Sequence, residues 1–89
     1  MTTEKEEIFG RILQEQRKAK QISQEKLAKL TGLDRTAISL IETGKRSPIF
    51  ITILKICSAL EIKPSELLSI YEKEDPDYLM KNRGKRGKF

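Results

Sequence analysis

Residues 23–44 read SQEKLAKLTGLDRTAISLIETG, and the fold follows from how this stretch divides. Each half opens on a side chain that can accept from a free backbone N–H, Ser23 and then Asp34. Each closes on a glycine, Gly32 and Gly44, able to take positive φ at the C-terminal end of a helix. Leu27 with Leu30, and Ile38 with Ile41, give each half an apolar side at helical spacing. Leu33 can plug the corner between them, and Ala28 is small enough for a close crossing. The reading is two short helices at a steep angle joined by a glycine turn, a helix-turn-helix.

Working outward, Ile8, Phe9, Ile12 and Leu13 form one face of a helix from about Lys5 to about Lys20. Its last turns carry Arg17, Lys18 and Lys20, which suit the negative end of the helix dipole. Downstream, GKRSPIFITILKICSALEI (44–62) contains a β-branched run that periodicity alone leaves open to a strand. Pro48 and the spacing of Phe50, Ile53, Leu54, Cys57 and Leu60 predict a helix starting just after the proline, with Ile49 and Ile51 as surplus apolar residues. A last helix, PSELLSIY (64–71), carries Leu67, Leu68, Ile70 and Tyr71. After Tyr71 the pattern fades. The expected architecture is all-α, a compact five-helix bundle over residues 1–72 with the helix-turn-helix at about 24–43. Residues 73–89 are expected to form a flexible, basic tail.

Composition narrows the function. The chain has 89 residues, 37% hydrophobic and 35% charged, enough for one domain with a modest core. The net charge of +5 is uneven: residues 1–72 hold twelve basic and ten acidic side chains, and residues 73–89 hold six and three. Global charge is therefore weak support for a polyanionic partner. There is no histidine, and the single Cys57 lies in the apolar run LKICSAL, where it reads as a core residue. The commonest general base and the zinc-ligand patterns are thus absent, as are phosphate-loop and dinucleotide fingerprints. Catalysis is not expected, and no cofactor or metal is implied. No apolar run is long enough to span a membrane and the N-terminus is charged, so the chain is expected to be soluble and cytoplasmic.

The second helix of the motif looks outward in an unusual way. Opposite Ile38 and Ile41 lie Thr36, Ser39, Leu40 and Thr43, with Arg35 on the flank at the helix start. A solvated face more often carries Glu and Lys. Short hydroxyls allow close approach while offering donors and acceptors, and an arginine at the helix start can pair with guanine O6 and N7. Leu40 can meet a thymine methyl. This is the shape of a helix entering a DNA major groove, although on this helix alone an ordinary polar face explains the residues equally well.

The run from Arg17 to Leu60 resembles the Cro/repressor-type helix-turn-helix family, also called the XRE family, and the likeness extends over roughly residues 8–70. Its Arg, Ser-Gln, Leu-Ala, Gly, Ile-Ser-x-Ile-Glu, Gly and Pro stand at the family's spacing. The resemblance implies a compact five-helix bundle of the lambda-repressor-like type. It also implies that Gln24 holds a DNA phosphate and braces the recognition helix, and that Arg35, Thr36, Ser39, Leu40 and Arg46 face bases. Lys45 and Thr43 would contact phosphates, and Arg17 and Glu42 would form a structural ion pair. Three positions depart from the pattern: Gln16 replaces an aliphatic residue, Glu61 a glycine, and Ala37 the tyrosine frequent in controller proteins of restriction–modification systems, which the RTAIS motif otherwise resembles.

The leading expectation is a sequence-specific double-stranded DNA-binding transcriptional regulator, a repressor, acting as a homodimer on a palindromic operator. The pairing seam is expected on the last helix, at Ile70 and Tyr71 with Leu67. The alternative is an antitoxin-type protein-interaction module on the same fold, with a toxin or other protein as partner. RNA binding has little support, because Phe9, Phe50, Tyr71, Tyr78 and Phe89 form no stacking platform. The basic run Lys81–Lys88 reads either as a nonspecific DNA arm or as a solubilising end.

Overall fold

Ser23 Oγ accepts from the Lys26 N–H at 3.0 Å, and Asp34 Oδ1 accepts from the Ala37 N–H at 2.8 Å. Both helix starts therefore fall where the sequence puts them. The structure, a computed structural model, describes residues 4–78. Five helices make up its regular elements: α1 Glu4–Ala19, α2 Gln24–Thr31, α3 Arg35–Glu42, α4 Phe50–Leu60 and α5 Pro64–Glu74. The run IFITI lies largely within α4 and is helical. None of the helices is long and apolar enough to cross a membrane. The basic run Lys81–Lys88 lies outside the described residues.

Helix α1 lies across α3 and α5, while α2 packs against both α3 and α4. Leu13, Leu27, Ile38, Ile41, Ile56 and Leu60 are buried together at the centre, with Leu33 packed on them from the corner. A second cluster joins Ile8 and Ile12 of α1 to Cys57 of α4 and Leu67 of α5. Burial raises the Cys57 thiol pKa, as expected of a small core residue.

Two glycines carry the close geometry. Gly44 has φ +78°, and a Cβ there would lie 2.8 Å from the Glu7 Cα, so position 44 is closed to side chains on two counts. Gly10, in the middle of α1, is closed differently: an added Cβ would fall against the Ile41 and Glu42 carbonyl oxygens at the end of α3. α1 and α3 therefore cross with almost no spacing.

Several expectations change. Leu30 is exposed, not inward with Leu27. The buried side of α2 is Leu27, Ala28 and Thr31. Thr31 can lie inside because its hydroxyl donates to the Leu27 carbonyl at 2.8 Å and accepts from the Leu33 N–H. In α4 the inward set is Ile56, Cys57 and Leu60. Phe50 is exposed in the first turn, ahead of Ile53, the first apolar α4 side chain to pack on the core.

At the C-terminal end, α5 continues past Tyr71 to Glu74, so the expected domain edge at residue 72 falls inside a helix. Asp75 is buried, bonded at 2.7 Å to Lys5 Nζ and at 2.7 Å to the Tyr71 hydroxyl. The hydrogen bond from Lys5, then that from Tyr71, holds the Asp75 carboxyl below its usual range. Burial, then the bond to Asp75, pushes the Tyr71 phenol up. Leu67, expected at the pairing seam, is 1% exposed and belongs to the core of its own chain. Ile70 and Tyr71 are half-buried against the second cluster, and the exposed apolar residue of α5 is Leu68.

Candidate nucleic-acid interface

Helix α3 buries Ala37, Ile38, Ile41 and Glu42. This leaves Arg35, Thr36, Ser39, Leu40 and Thr43 on the outer side, because a 3.6-residue repeat can face only one stripe inward. Arg35 and Thr36 are exposed, and Ser39 and Leu40 are half-buried. Gln24 at the start of α2 joins Arg35, Thr36, Ser39 and Leu40 around one hollow. Five of the side chains singled out in the sequence thus meet on one concave surface. With its side chains an α-helix is about 10–12 Å across, which a major groove about 12 Å wide admits.

The position of α3 is set by one buried carboxylate. Glu42 Oε2 accepts from Arg17 Nε at 2.6 Å, and Glu42 Oε1 accepts from Arg17 Nη2 at 3.1 Å and from Gln24 Nε2 at 2.9 Å. The remaining fork of the guanidinium, Arg17 Nη1, donates to the Ile22 carbonyl at 2.7 Å. The end of α1, the α1–α2 link, the start of α2 and the end of α3 are therefore tied through the Arg17–Glu42 pair. Arg17 and Glu42 are both buried, so this pair fixes geometry and lies out of reach of a surface ligand. The amide of Gln24 joins the network from its edge, with its backbone N–H in the first turn of α2, where helix N–H groups are unpaired within the helix.

The loop after α3 is held by its own backbone. The Lys45 and Arg46 N–H groups both donate to the Leu40 carbonyl, at 2.9 and 3.2 Å. Their side chains are exposed at the C-terminal end of α3, away from the hollow around Gln24. Thr43 is exposed, and its hydroxyl donates to the Ser39 carbonyl at 2.9 Å, so toward an outside phosphate it is an acceptor and not a donor. That bond weakens the phosphate role expected of Thr43. Ala37 is buried, its N–H bonded to Asp34, so the position that departs from the controller pattern faces the protein and not the hollow.

Two features were not foreseen in the sequence. One is the carbonyl of Ile22 as a partner for Arg17, which no side-chain pattern encodes. The other is Gly10, whose lone glycine inside a helical pattern was the available signal for a close backbone approach. Among the described residues there is no cluster of His, Cys, Asp or Glu able to hold a metal ion.

Comparison with known proteins is consistent across sequence and structure. Residues 13–67 match the helix-turn-helix family model. The control protein C.MunI of a Mycoplasma species is 46% identical over 67 residues, covering 74% of this chain and 90% of that one. The crystal structure of the restriction–modification controller protein C.AhdI from Aeromonas hydrophila is similar with a TM-score of 0.65 and 49% identity, over 66% of this chain and 86% of that chain. The controller protein C.Esp1396I, solved as a tetramer in complex with its natural 35 base-pair operator, is similar with a TM-score of 0.76 and 28% identity, over 81% of this chain and 95% of that chain.

Proposed function

The chain belongs to the helix-turn-helix family, and from that membership we propose that it is a sequence-specific, double-stranded DNA-binding transcriptional regulator that acts as a homodimer in the cytoplasm. The observation that carries this reading is the hollow shared by Gln24 and the outer face of α3, built on a helix whose end is pinned by a buried carboxylate. Base reading tolerates little positional error, and a rigidly mounted helix with short outward side chains suits it. Arg35 is the base reader at the helix start, with Thr36, Ser39, Leu40 and Arg46 completing the readout. Lys45, Gln24 and the first backbone amides of α2 position the protein on phosphates.

Similarity to the controller proteins C.MunI and C.AhdI supports a narrower reading, a repressor of the restriction–modification controller type. The activity is binding, with no chemical step. The operator is a rough palindrome whose half-site centres lie one helical turn, about 34 Å, apart.

Selection from random duplex DNA identifies the site, and two variants then separate reading from positioning. Arg35→Ala is expected to cost about 1–3 kcal/mol on the selected site and to relax discrimination at one position per half-site. Lys45→Ala is expected to weaken all sequences alike and to flatten the salt dependence. Equal weakening of selected and random DNA by Arg35→Ala would make Arg35 a backbone clamp and refute its reading role.

A further inference from the structure

The exposed Leu30 and the glycine position held by Glu61 meet at one place. The ends of α1 and α4 are built alike. The Ile22 N–H donates to the Arg17 carbonyl at 3.1 Å, and the Ile62 N–H donates to the Cys57 carbonyl at 3.0 Å. That closure puts the preceding residue in the left-handed region, where glycine is the usual occupant. Here the residues are Gln21 at φ +59° and Glu61 at φ +54°, and no other non-glycine among the described residues has positive φ. For Glu61 the charge is unfavourable as well, because it follows the negative end of α4. Side chains kept where the backbone disfavours them point to a use other than folding.

Both residues border one hollow, of about 480 Å³, lined by Ile22, Leu30, Ala59 and Leu60 with Lys20 and Glu61 around it. Gln21 stands between Lys20 and Ile22 in the chain. Ile22 and Ala59 sit on the core, whereas Leu30 is 51% exposed. The segments that form the hollow, 18–22, 29–30 and 55–63, carry Lys18, Lys20, Lys29, Lys55 and Lys63, all exposed, against the single acid Glu61. The hollow shares no lining residue with the one around Gln24 and Arg35.

We propose that this hollow docks an acidic, amphipathic segment of a partner protein, with the segment's apolar side chains on Ile22, Leu30 and Ala59 and its carboxylates among the lysines. Charge complementarity selects the partner, since five exposed ammonium groups surround an apolar floor. A nucleic acid would match the lysines and leave that floor uncovered. The side chains of Gln21 and Glu61 extend the walls of the hollow, which a glycine cannot do. Because the outer face of α3 takes no part, the chain can hold this partner and DNA together.

The test is fluorescence anisotropy of the full chain with three labelled peptides of about 15 residues, long enough for one helical face to form on docking. One has leucines at i, i+3, i+4 and i+7 with glutamates elsewhere. The second keeps the leucines and carries lysines, and the third keeps the glutamates and carries serines for the leucines. The acidic leucine peptide is expected to bind with a Kd of about 100 μM or tighter, and the other two at least about tenfold more weakly. Leu30→Gln, at an exposed helix position, should leave folding unchanged and raise that Kd about tenfold. Glu61→Gly is expected to raise it about threefold while melting above the parent chain, and Glu61→Gln, which keeps the wall, to bind at least as well as the parent. A corner of structural importance only would not lose affinity as it gained stability. The proposal is overturned if the acidic and lysine peptides bind alike, or if neither Leu30→Gln nor Glu61→Gly changes the Kd by more than about twofold. It is equally overturned if Lys20→Gln with Lys29→Gln weakens binding of random duplex DNA and not of the acidic peptide, which would give the lysines to nucleic acid. Binding of the selected duplex is measured on the same samples. If the acidic peptide binds as expected and no sample prefers the selected duplex, the docking surface stands and the DNA-reading function falls.

Discussion

Helices α3 and α4 are neighbours in the chain, both rich in isoleucine and leucine, and their ends are made on opposite principles. α3 starts on the carboxylate of Asp34, bonded to the Ala37 N–H, and ends on Glu42, bonded to Arg17 and Gln24. α4 starts on Ile49 with no side-chain bond and ends on Glu61 at φ +54°, a conformation that L residues with a Cβ adopt at a cost. A helix that must present side chains at fixed positions is held by directional polar bonds at both ends. A helix whose role is apolar mass, inward for the core and outward at its first turn, needs only its packing. The difference separates the part of the molecule built for position from the part built for contact.

The largest expected effect lies at the end of α3. Glu42→Gln leaves the Arg17 guanidinium buried without a counter-charge, and a loss of about 3–5 kcal/mol is expected in urea unfolding. Folded domains hold about 5–15 kcal/mol in all, so this variant should be close to unfolding. Replacing both partners by apolar residues, Arg17→Met with Glu42→Leu, is expected to recover much of that loss. A single-variant loss below about 1 kcal/mol would mean that Glu42 does not hold α3, and the contrast would collapse. At the start of α3, Asp34→Ala is expected to cost about 1 kcal/mol, the usual worth of an N-cap, read as a lowered melting temperature. The smallest effect has the other sign. Glu61→Gly removes a strained left-handed residue from the end of α4 and is expected to stabilise by about 0.5–1 kcal/mol. A destabilised Glu61→Gly chain would show that Glu61 holds its corner through its side chain, against the contrast drawn here.

The same contrast accounts for what could be read from the sequence. Caps and glycine stops are local signals, so Ser23, Gly32, Asp34 and Gly44 placed the helix-turn-helix. The one-sided pattern of α3 placed Arg35, Thr36, Ser39 and Leu40 on one face, and the hollow they form with Gln24 follows from that placement and the short turn. α4 was harder to read. A helix apolar nearly all round has no single inward direction in its sequence, so Phe50 was assigned to the core that Ile56 occupies. The run Ile49–Ile51 had no place in the core pattern, and its three side chains are exposed. Leu30 was misplaced for a different reason: a buried threonine that satisfies its own hydroxyl looks polar in a sequence and is not treated as core. The far end of α5 was hidden because its partners lie at the opposite end of the chain. Lys5 bonds Asp75, and Arg11 lies 3.5 Å from Glu74. Charged residues near a proline, as in EKEDPD, read locally as a tail.

The crossing at Gly10 has a consequence for how this protein can vary over generations. Every single-base change that alters a glycine codon and keeps the reading frame open installs a residue with a Cβ, and here that atom has no room beside the carbonyls of Ile41 and Glu42. On the outer side of α1 a lineage can drift by small steps. At this position no small step exists, since even alanine would have to move α1 off the end of α3. Those carbonyls are backbone groups, so no compensating side-chain substitution in α3 removes the obstacle. Position 10 is an isolated point in the accessible sequence space of this fold, fixed because every neighbouring residue type is too large and not because glycine contributes any interaction of its own.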